Sequence, residues 1–342
     1  MMRLLPVLLV SFLSLAANAA VGTEDLLSRV ERNARRLEAE KYTPDRVFLT
    51  DEQSGGWPGD TEGRTVLALV LEEAALGKKA RHLDEIVRRI PAHLNERGYM
   101  GTVRTDGVID EQQLSGNGWM LRALCAYARH VREPVLDVRP IVRKLARNLF
   151  LPCRGRFASY PIDPGSRTGG GGASGSIVSG TTGGWRLSTD VGCAFIGLDG
   201  LVDAHKLTSD AELVPVIEEM IARFLEIDLV AIKAQTHASL TALRALLRLD
   251  AARFLPEVER RFGLYVRYGM TDNWFCRYDN WTEPCAIVDS LLLAHQLHEL
   301  TGKAAYADYE RNFLGALVAH QRDNGGFGLQ KTFPKGPAHE PV

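Results

Sequence analysis

Long stretches of this chain alternate between helices that are apolar on nearly every side and helices that are apolar on one side only. The segment from about Thr61 to Leu76 is of the first kind. The segment from about Lys79 to Arg97 is of the second kind, with Leu83, Ile86 and Ile90 on one face. The first pattern is typical of helices buried on both sides, and the second of helices with one face in water.

The same pair recurs along the chain at intervals of roughly fifty residues, which indicates a repeat architecture. A turn rich in Gly, Asn and Ser, often with a tryptophan, leads into each apolar helix. The further predicted pairs are about 118–131 with 135–150, 190–206 with 210–225, 238–249 with 252–268, and 284–300 with 304–321, after a first helix over about 23–41. We therefore predict an all-α fold, an α/α toroid (six-hairpin glycosidase-like barrel) of about eleven to twelve helices covering residues 20–334.

The two ends of the chain differ from this repeat. Arg3, the apolar run from Leu4 to Leu15 and the small residues Ala17-Asn18-Ala19 are typical of a secretory signal peptide, predicted over residues 1–19. No later apolar run approaches the length that spans a bilayer. We therefore expect a secreted or periplasmic protein with no membrane span, and a disordered tail over residues 335–342.

Composition narrows the classes of partner. The apolar content of 45% is enough for a large core, and the formal charge of −1 comes without a basic block or stripe. Nucleic acid is therefore not an expected partner. The five cysteines form no CxxC pattern that would indicate a zinc ribbon. The oligomeric state is left open.

One segment breaks the helical pattern. Residues 163–184 read DPGSRTGGGGASGSIVSGTTGG, which is too rich in glycine for a helix or a strand. One interpretation is a flexible surface insertion. The other is a lid over the mouth of the toroid, because the segment leads directly into Trp185 at the predicted start of an apolar helix.

The loops before the apolar helices carry the candidate chemistry. In a toroid these loops converge on one mouth, and all five tryptophans of the chain fall in them or at the helix starts. Indole rings stack on sugars, and Arg and Asn hydrogen-bond to hydroxyls. The predicted substrate-binding residues are Trp57, Arg64, Asn117, Trp119, Trp185, His237, Trp274 and Trp281.

Carboxylates share these loops, and hydrolysis of a glycosidic bond usually needs two of them. The predicted catalytic residues are Glu283, Asp279, Asp190 and Asp60. Structural roles compete with this interpretation. Asp60, Asp190 and Glu283 stand where carboxylates commonly cap helices. His237 has the alternative of a hydrogen-bonded structural histidine, and single tryptophans are often core residues.

One region resembles a known family. The segment TEPCAIVDS, from Thr282 to Ser290, is similar to the TE-x-CA-x-VD helix start of glycoside hydrolase family 127, the β-L-arabinofuranosidase-like proteins. The pattern L-x-x-LTG-x-x-x-Y-x-D follows, from Leu297 to Asp308, as in that family. GDTEGR (59–64) and SGNGWMLRAL (115–124) resemble earlier helix starts of the family less specifically.

The resemblance implies an α/α six-hairpin barrel that acts on polysaccharide side chains. It also implies zinc as a possible cofactor, with Glu283 and Cys285 as two of its ligands. In the family, a downstream cysteine pair completes the zinc site and supplies the nucleophile, and an upstream glutamate is the acid/base. Here no cysteine follows Cys285, the chain stops before the family's β-sandwich region, and no glutamate lies between Glu259 and Glu283.

We therefore expect an exported glycoside hydrolase-like protein that acts on polysaccharide-derived oligosaccharides through carboxylates at the toroid mouth. Two alternatives stay open within the family resemblance, a carbohydrate-binding relative without catalysis and a truncated copy. A third alternative is a toroid that serves as a scaffold or interaction protein.

Overall fold

The fold is mainly helical, as the hydrophobic pattern predicts. The computed structural model describes residues 23–49, 56–167, 175–229, 236–268, 284–319 and 321–327. The predicted signal peptide and C-terminal tail lie outside these ranges. The helices of the described residues are α1 (Thr23–Arg36), α2 (Asp60–Leu76), α3 (Leu83–His93), α4 (Glu111–His130), α5 (Arg139–Leu145), α6 (Ile196–Thr208), α7 (Val214–Leu225), α8 (Thr236–Tyr268), α9 (Pro284–Thr301) and α10 (Ala304–Ala319). No helix in these ranges is long and apolar enough to cross a membrane.

The helix count is ten in the described residues, one below the lower predicted bound. The two helices predicted over 238–249 and 252–268 run on as the single element α8, interrupted at Asp250. Asp250 has an extended backbone (φ −154°, ψ 93°), and its carboxylate accepts a hydrogen bond from the N–H of Arg253 (3.0 Å). That bond is the usual N-cap of a new helix, so the break in α8 lies where the sequence predicts a short connection.

The apolar helices pack side by side in chain order. Helix α2 lies against α4, α4 against α6, α6 against α8, and α8 against α9. Helix α4 is buried along almost its whole length, whereas α3 buries one face, formed by Leu83, Ile86, Val87 and Ile90. The two classes of helix therefore have the different burial that their hydrophobic patterns predict.

Four glycines set how closely these helices approach. A Cβ at Gly118 of α4 would lie 2.5 Å from Cα of Gly197, and a Cβ at Gly200 of α6 would lie 2.0 Å from the carbonyl oxygen of Gly118. A Cβ at Gly63 of α2 would lie 2.5 Å from the backbone nitrogen of Met120. Only glycine permits such close approach of two backbones.

The start of α4 corrects a sequence prediction. The SGNGW segment was predicted to be a turn before a helix at Gly118, but it lies within α4, which begins at Glu111. Asp110 caps the helix by accepting hydrogen bonds from the N–H groups of Gln112 (3.0 Å) and Gln113 (3.4 Å). The glycines of this segment serve helix packing, which has the same sequence signature as a turn.

Within the glycine-rich segment, Pro164–Arg167 form a helical turn, and residues 175–184 lead into a small sheet. Strand β1 (Ile109–Asp110) pairs in parallel with β2 (Trp185–Arg186), and Ile177 bridges to Ser188. Arg186 forms an ion pair with Asp110 (2.7 Å). These contacts join the end of the segment to the start of α4. Residues 168–174 lie outside the described ranges.

Candidate functional site

The first and last of the packed apolar helices meet through Arg64. This side chain lies on the first turns of α2, where it forms an ion pair with Asp60 (2.8 Å). Its Nη1 also donates a hydrogen bond to Sγ of Cys285, the second residue of α9 (3.5 Å). Two predicted substrate or catalytic residues and one predicted metal ligand are therefore in contact.

Trp119 of α4 lies beside this group. Its ring is contacted by the guanidinium groups of Arg64 (4.2 Å to the ring centroid) and Arg122 (5.0 Å). The imidazole of His237 lies nearly parallel to it, with ring centroids 5.7 Å apart and an interplanar angle of 14°. Trp119 is only 8% exposed. Its ring is thus held mainly by protein contacts, which leaves little of its faces for stacking on a sugar.

His237, the second residue of α8, makes the strongest polar contact of the group. The carboxylate of Asp289 on α9 binds its Nδ1 through one oxygen and Nη1 of Arg244 through the other (2.8 Å). Thr241 adds a hydroxyl bond to Asp289 (3.3 Å). Burial alone would raise the pKa of Asp289, but its contact with His237 and the charges of Arg244 and Arg122 hold that pKa well below its usual range.

Deeper along the same helices, a ladder of buried charges continues. Arg122 binds Asp199 (3.3 Å), Arg248 bonds to the same carboxylate, and Arg248 also reaches Asp203 (3.5 Å). Burial, followed by the neighbouring charge of Arg244, lowers the pKa of Arg122 to about 10. These pairs join α4, α6 and α8 and fill the space between them with compensated charge.

Other predicted site residues occupy different places. Trp185 is fully buried against Phe157 and Tyr160, so the prediction that it stacks on a ligand is not supported. Asn117 is also fully buried, and its side chain bonds only to backbone groups, including the N–H of Met100 (2.8 Å). Both side chains hold the fold together.

Trp57 and Asp190 are partly accessible. Trp57 is half-buried just before α2, and a Cβ at Gly175 would lie 3.2 Å from its ring. Asp190 is half-buried three residues before the helical turn that opens at Cys193, so α6 begins later than predicted. The predicted residues Trp274, Asp279, Trp281 and Glu283 lie outside the described ranges.

Sequence reasoning missed three members of this group, Asp289, Arg244 and Arg122. Asp289 stands within the apolar run of α9, and its partners lie on a different helix. The signal available in the sequence was a charged residue in an otherwise apolar helix, which requires a buried partner. The TE-x-CA-x-VD segment contains Asp289, but the resemblance assigned it no role.

The predicted zinc site is described at only one of its two ligands. Of the two predicted ligands only Cys285 lies within the described ranges, and it lies against the guanidinium of Arg64. Across those ranges no three His, Cys, Asp or Glu side chains are grouped so that they could hold a metal. A cation beside the thiol opposes binding of a second cation. We therefore route no chemical step through zinc.

No protein-family model matches this chain, and no curated protein is similar enough to it to count as a relative. The resemblance to glycoside hydrolase family 127 therefore stays a prediction from the TE-x-CA-x-VD segment.

Proposed function

We propose that this chain is an exported glycoside hydrolase-like protein built on an α/α toroid, with its site at the mouth. The substrate would be an oligosaccharide derived from a polysaccharide. Asp60, Asp190, Asp279 and Glu283 are the candidate acid/base residues. The candidate sugar contacts are Trp57, Arg64, Trp119, His237, Trp274 and Trp281. Asn117 and Trp185 leave the set because their side chains are fully buried.

Two contacts support a closed ring of helices. Arg64 joins α2 to α9, which are the first and last of the packed apolar helices. On the outside, Arg29 of α1 donates to the carbonyl of Val318 in α10 (3.1 Å), and Gln321 donates to the carbonyl of Arg29 (2.9 Å). A toroid requires contact between its first and last helices. Such a contact is present both among the apolar helices and among the amphipathic ones.

The observation that carries the proposal is the convergence of polar side chains from four helices at one place. Asp60 and Arg64 come from α2, Trp119 from α4, His237 from α8, and Cys285 and Asp289 from α9. A few convergent polar and aromatic groups between helices form the usual setting of a small-molecule site. Their chemistry suits a ring-shaped ligand with hydroxyl groups.

The test is hydrolysis of arabinan, pectic and glucan oligosaccharides by the purified protein, followed by analysis of the released sugars. The variants Asp60→Asn, Asp279→Asn and Glu283→Gln are expected to lower kcat by about 100-fold or more where the residue transfers a proton. Asp308→Asn is the matched control, because Asp308 is exposed on α10 and pairs only with Arg311 in the same helix.

The outcomes separate the functions under consideration. Release of sugars by wild type and the control, but not by the carboxylate variants, supports the hydrolase. Binding of an oligosaccharide without turnover would indicate a carbohydrate-binding protein. Absence of both would overturn the carbohydrate function and favour a scaffold protein.

A further inference from the structure

The imidazole of His237 is fixed at one nitrogen and open at the other. Nδ1 bonds to the carboxylate of Asp289, and the residue is only 2% exposed. Nε2 is buried and has no hydrogen-bond partner within the described residues. Buried polar atoms in folded proteins are almost always hydrogen-bonded, so an open nitrogen beside a candidate site points to a ligand.

The partners of Asp289 fix the chemistry of this ring. Arg244 and Thr241 hold the carboxylate in place, and its lowered pKa keeps it ionised. A carboxylate on Nδ1 selects the tautomer with its proton on Nδ1 and leaves a lone pair on Nε2. It also stabilises the imidazolium that forms when Nε2 takes a proton. The arrangement is that of an oriented general base.

A second buried atom lies beside it. The indole N–H of Trp119 has no hydrogen-bond partner within the described residues, and its ring lies almost parallel to that of His237. An indole N–H can only donate, whereas Nε2 of a neutral imidazole can accept. One donor and one acceptor on stacked rings match a water molecule or a sugar hydroxyl.

We propose that His237 is the general base of glycosidic hydrolysis at this mouth, with Asp289 and Arg244 as positioning residues. The inference rests on the proposed function and changes the expectation that carboxylates alone carry the proton transfers. Nε2 takes a proton from the water whose oxygen attacks the anomeric carbon, while the bond from that carbon to the leaving oxygen breaks. The leaving oxygen takes a proton from a carboxylic acid at the mouth, and the imidazolium returns its proton to that carboxylate through solvent.

The charged groups around the ring define what a pH profile would report. Asp289 binds Nδ1, and Arg244 binds Asp289. Arg64 and Arg122 lie on the ring of Trp119, against which the imidazole stacks.

The test uses the oligosaccharide that wild type cleaves and compares His237→Gln, Asp289→Asn and His295→Gln. We expect His237→Gln to lower kcat by about 100-fold or more, with a smaller change in KM. The limb of kcat/KM that falls toward acidic pH should be absent in this variant. Asp289→Asn should lower kcat while KM is retained, because it misorients the ring without removing it.

His295→Gln is the matched control, since His295 also bonds to a buried carboxylate, that of Glu310 (2.6 Å), between α9 and α10. It should keep the wild-type profile. Circular dichroism and Tm check that each variant folds. If His237→Gln does not fold, the ring ¹⁵N resonances of wild type replace it: the Nε2 signal of His237 should move when the oligosaccharide saturates the site, and that of His295 should not.

Turnover by wild type together with an unchanged acidic limb in folded His237→Gln would overturn this inference and leave the proposed function intact. An unmoved Nε2 resonance under saturating oligosaccharide would do the same. Absence of turnover in wild type would overturn both.

Discussion

Two buried carboxylates of the helical core, that of Glu111 on α4 and that of Asp289 on α9, differ in one respect. Glu111 accepts hydrogen bonds from Arg167 (2.7 and 3.1 Å), from the Tyr160 hydroxyl (2.6 Å) and from both the N–H and the hydroxyl of Ser188. Asp289 also binds an arginine and a hydroxyl, but its third partner is an imidazole with an open nitrogen.

The difference separates a structural cluster from a candidate functional one. The Glu111 cluster ties the segment 160–167 and the residues after β2 to the start of α4, and both oxygens of its carboxylate have partners. In the Asp289 cluster, Nε2 of His237 forms no hydrogen bond with the other members of the cluster. In both clusters the Nε of the arginine is buried without a hydrogen-bond partner among the described residues, so the difference lies in the imidazole nitrogen. A spare buried nitrogen is costly unless something binds it.

The largest expected effect is a loss of stability in the Glu111 cluster, which is the structural one of the two. Glu111→Gln leaves the guanidinium of Arg167 buried without a charged partner, which should lower the free energy of unfolding by about 3–5 kcal/mol. Urea unfolding followed by circular dichroism measures it. The folded fraction should keep the pH profile that depends on His237.

Glu212→Gln is the control, since Glu212 is an exposed partner of Arg147, and we expect a loss below about 1 kcal/mol. A loss for Glu111→Gln as small as that of the control would show that the two carboxylate clusters do not differ in the way their contacts imply.

The next effect concerns the helix contact that places Trp119 beside His237. Gly118→Ala puts a methyl group 2.5 Å from Cα of Gly197, and backbone on both sides cannot give way cheaply. We expect a loss of about 3 kcal/mol, at the upper end of overpacking effects. Thermal unfolding measures it, and the intrinsic fluorescence of Trp119 should change with the packing.

Gly263→Ala is the matched control, because a Cβ at Gly263 of α8 meets no atom within 4 Å. This helical position should gain stability by up to about 1 kcal/mol, since alanine favours helix over glycine. Equal losses at the two glycines would contradict the close approach of α4 and α6.

These glycines also mark how far the sequence predicts the fold. The alternation of apolar and amphipathic helices depends on local periodicity, so most helices begin and end near the predicted residues. The start of α4 was misplaced because Gly118 serves a contact with Gly197, and a local pattern does not reveal a contact with a distant residue. A glycine needed for packing and a glycine needed for a turn look alike in sequence.

The residues of the candidate site also fall into those that the sequence predicts and those that it does not. Arg64 and His237 were predicted because polar residues at helix starts are visible in sequence. Asp289 was not predicted, since its role in the site depends on contact with His237, which lies on another helix. Trp185 was predicted as a ligand contact from its position near a helix start, but three-dimensional packing encloses it between Phe157 and Tyr160.

A third buried carboxylate, that of Glu72, shows how the partners of such a group determine its pKa. Burial, followed by the charge of Glu38, raises the pKa of Glu72 in α2 to about 8. One of its oxygens is buried and has no hydrogen-bond partner among the described residues. The folded state keeps the proton that the unfolded chain releases, so stability falls as pH rises from about 4.5 to about 8. Each pKa unit corresponds to about 1.4 kcal/mol, so the fall should amount to several kcal/mol.

Glu72→Gln should remove that fall and make the variant more stable than wild type at pH 8, measured as Tm across pH 5–8.5. Glu38→Gln should remove a smaller part, because burial is the larger cause. A wild-type Tm that rises from pH 5 to pH 8, with Glu72→Gln parallel to it, would contradict a carboxyl that folds in its neutral form.

The smallest effect concerns the second imidazole–carboxylate pair, which lies between α9 and α10. Glu310 accepts from His295 (2.6 Å) and His298 (3.1 Å). The hydrogen bond to Glu310 raises the pKa of His295, against the opposing effect of burial. A raised histidine pKa adds stability that is complete below the unfolded value and is lost as pH rises through the folded value.

His295→Gln should therefore cost about 1 kcal/mol at pH 5.5 and less at pH 9, measured by urea unfolding at both pH values. Glu299→Gln, which removes only a more distant charge, should change the pH dependence less. Equal losses at the two pH values would mean that His295 contributes packing alone. A loss of turnover in His295→Gln would remove the distinction between this pair and His237–Asp289, because then an imidazole bound to Glu310 would serve the same chemistry.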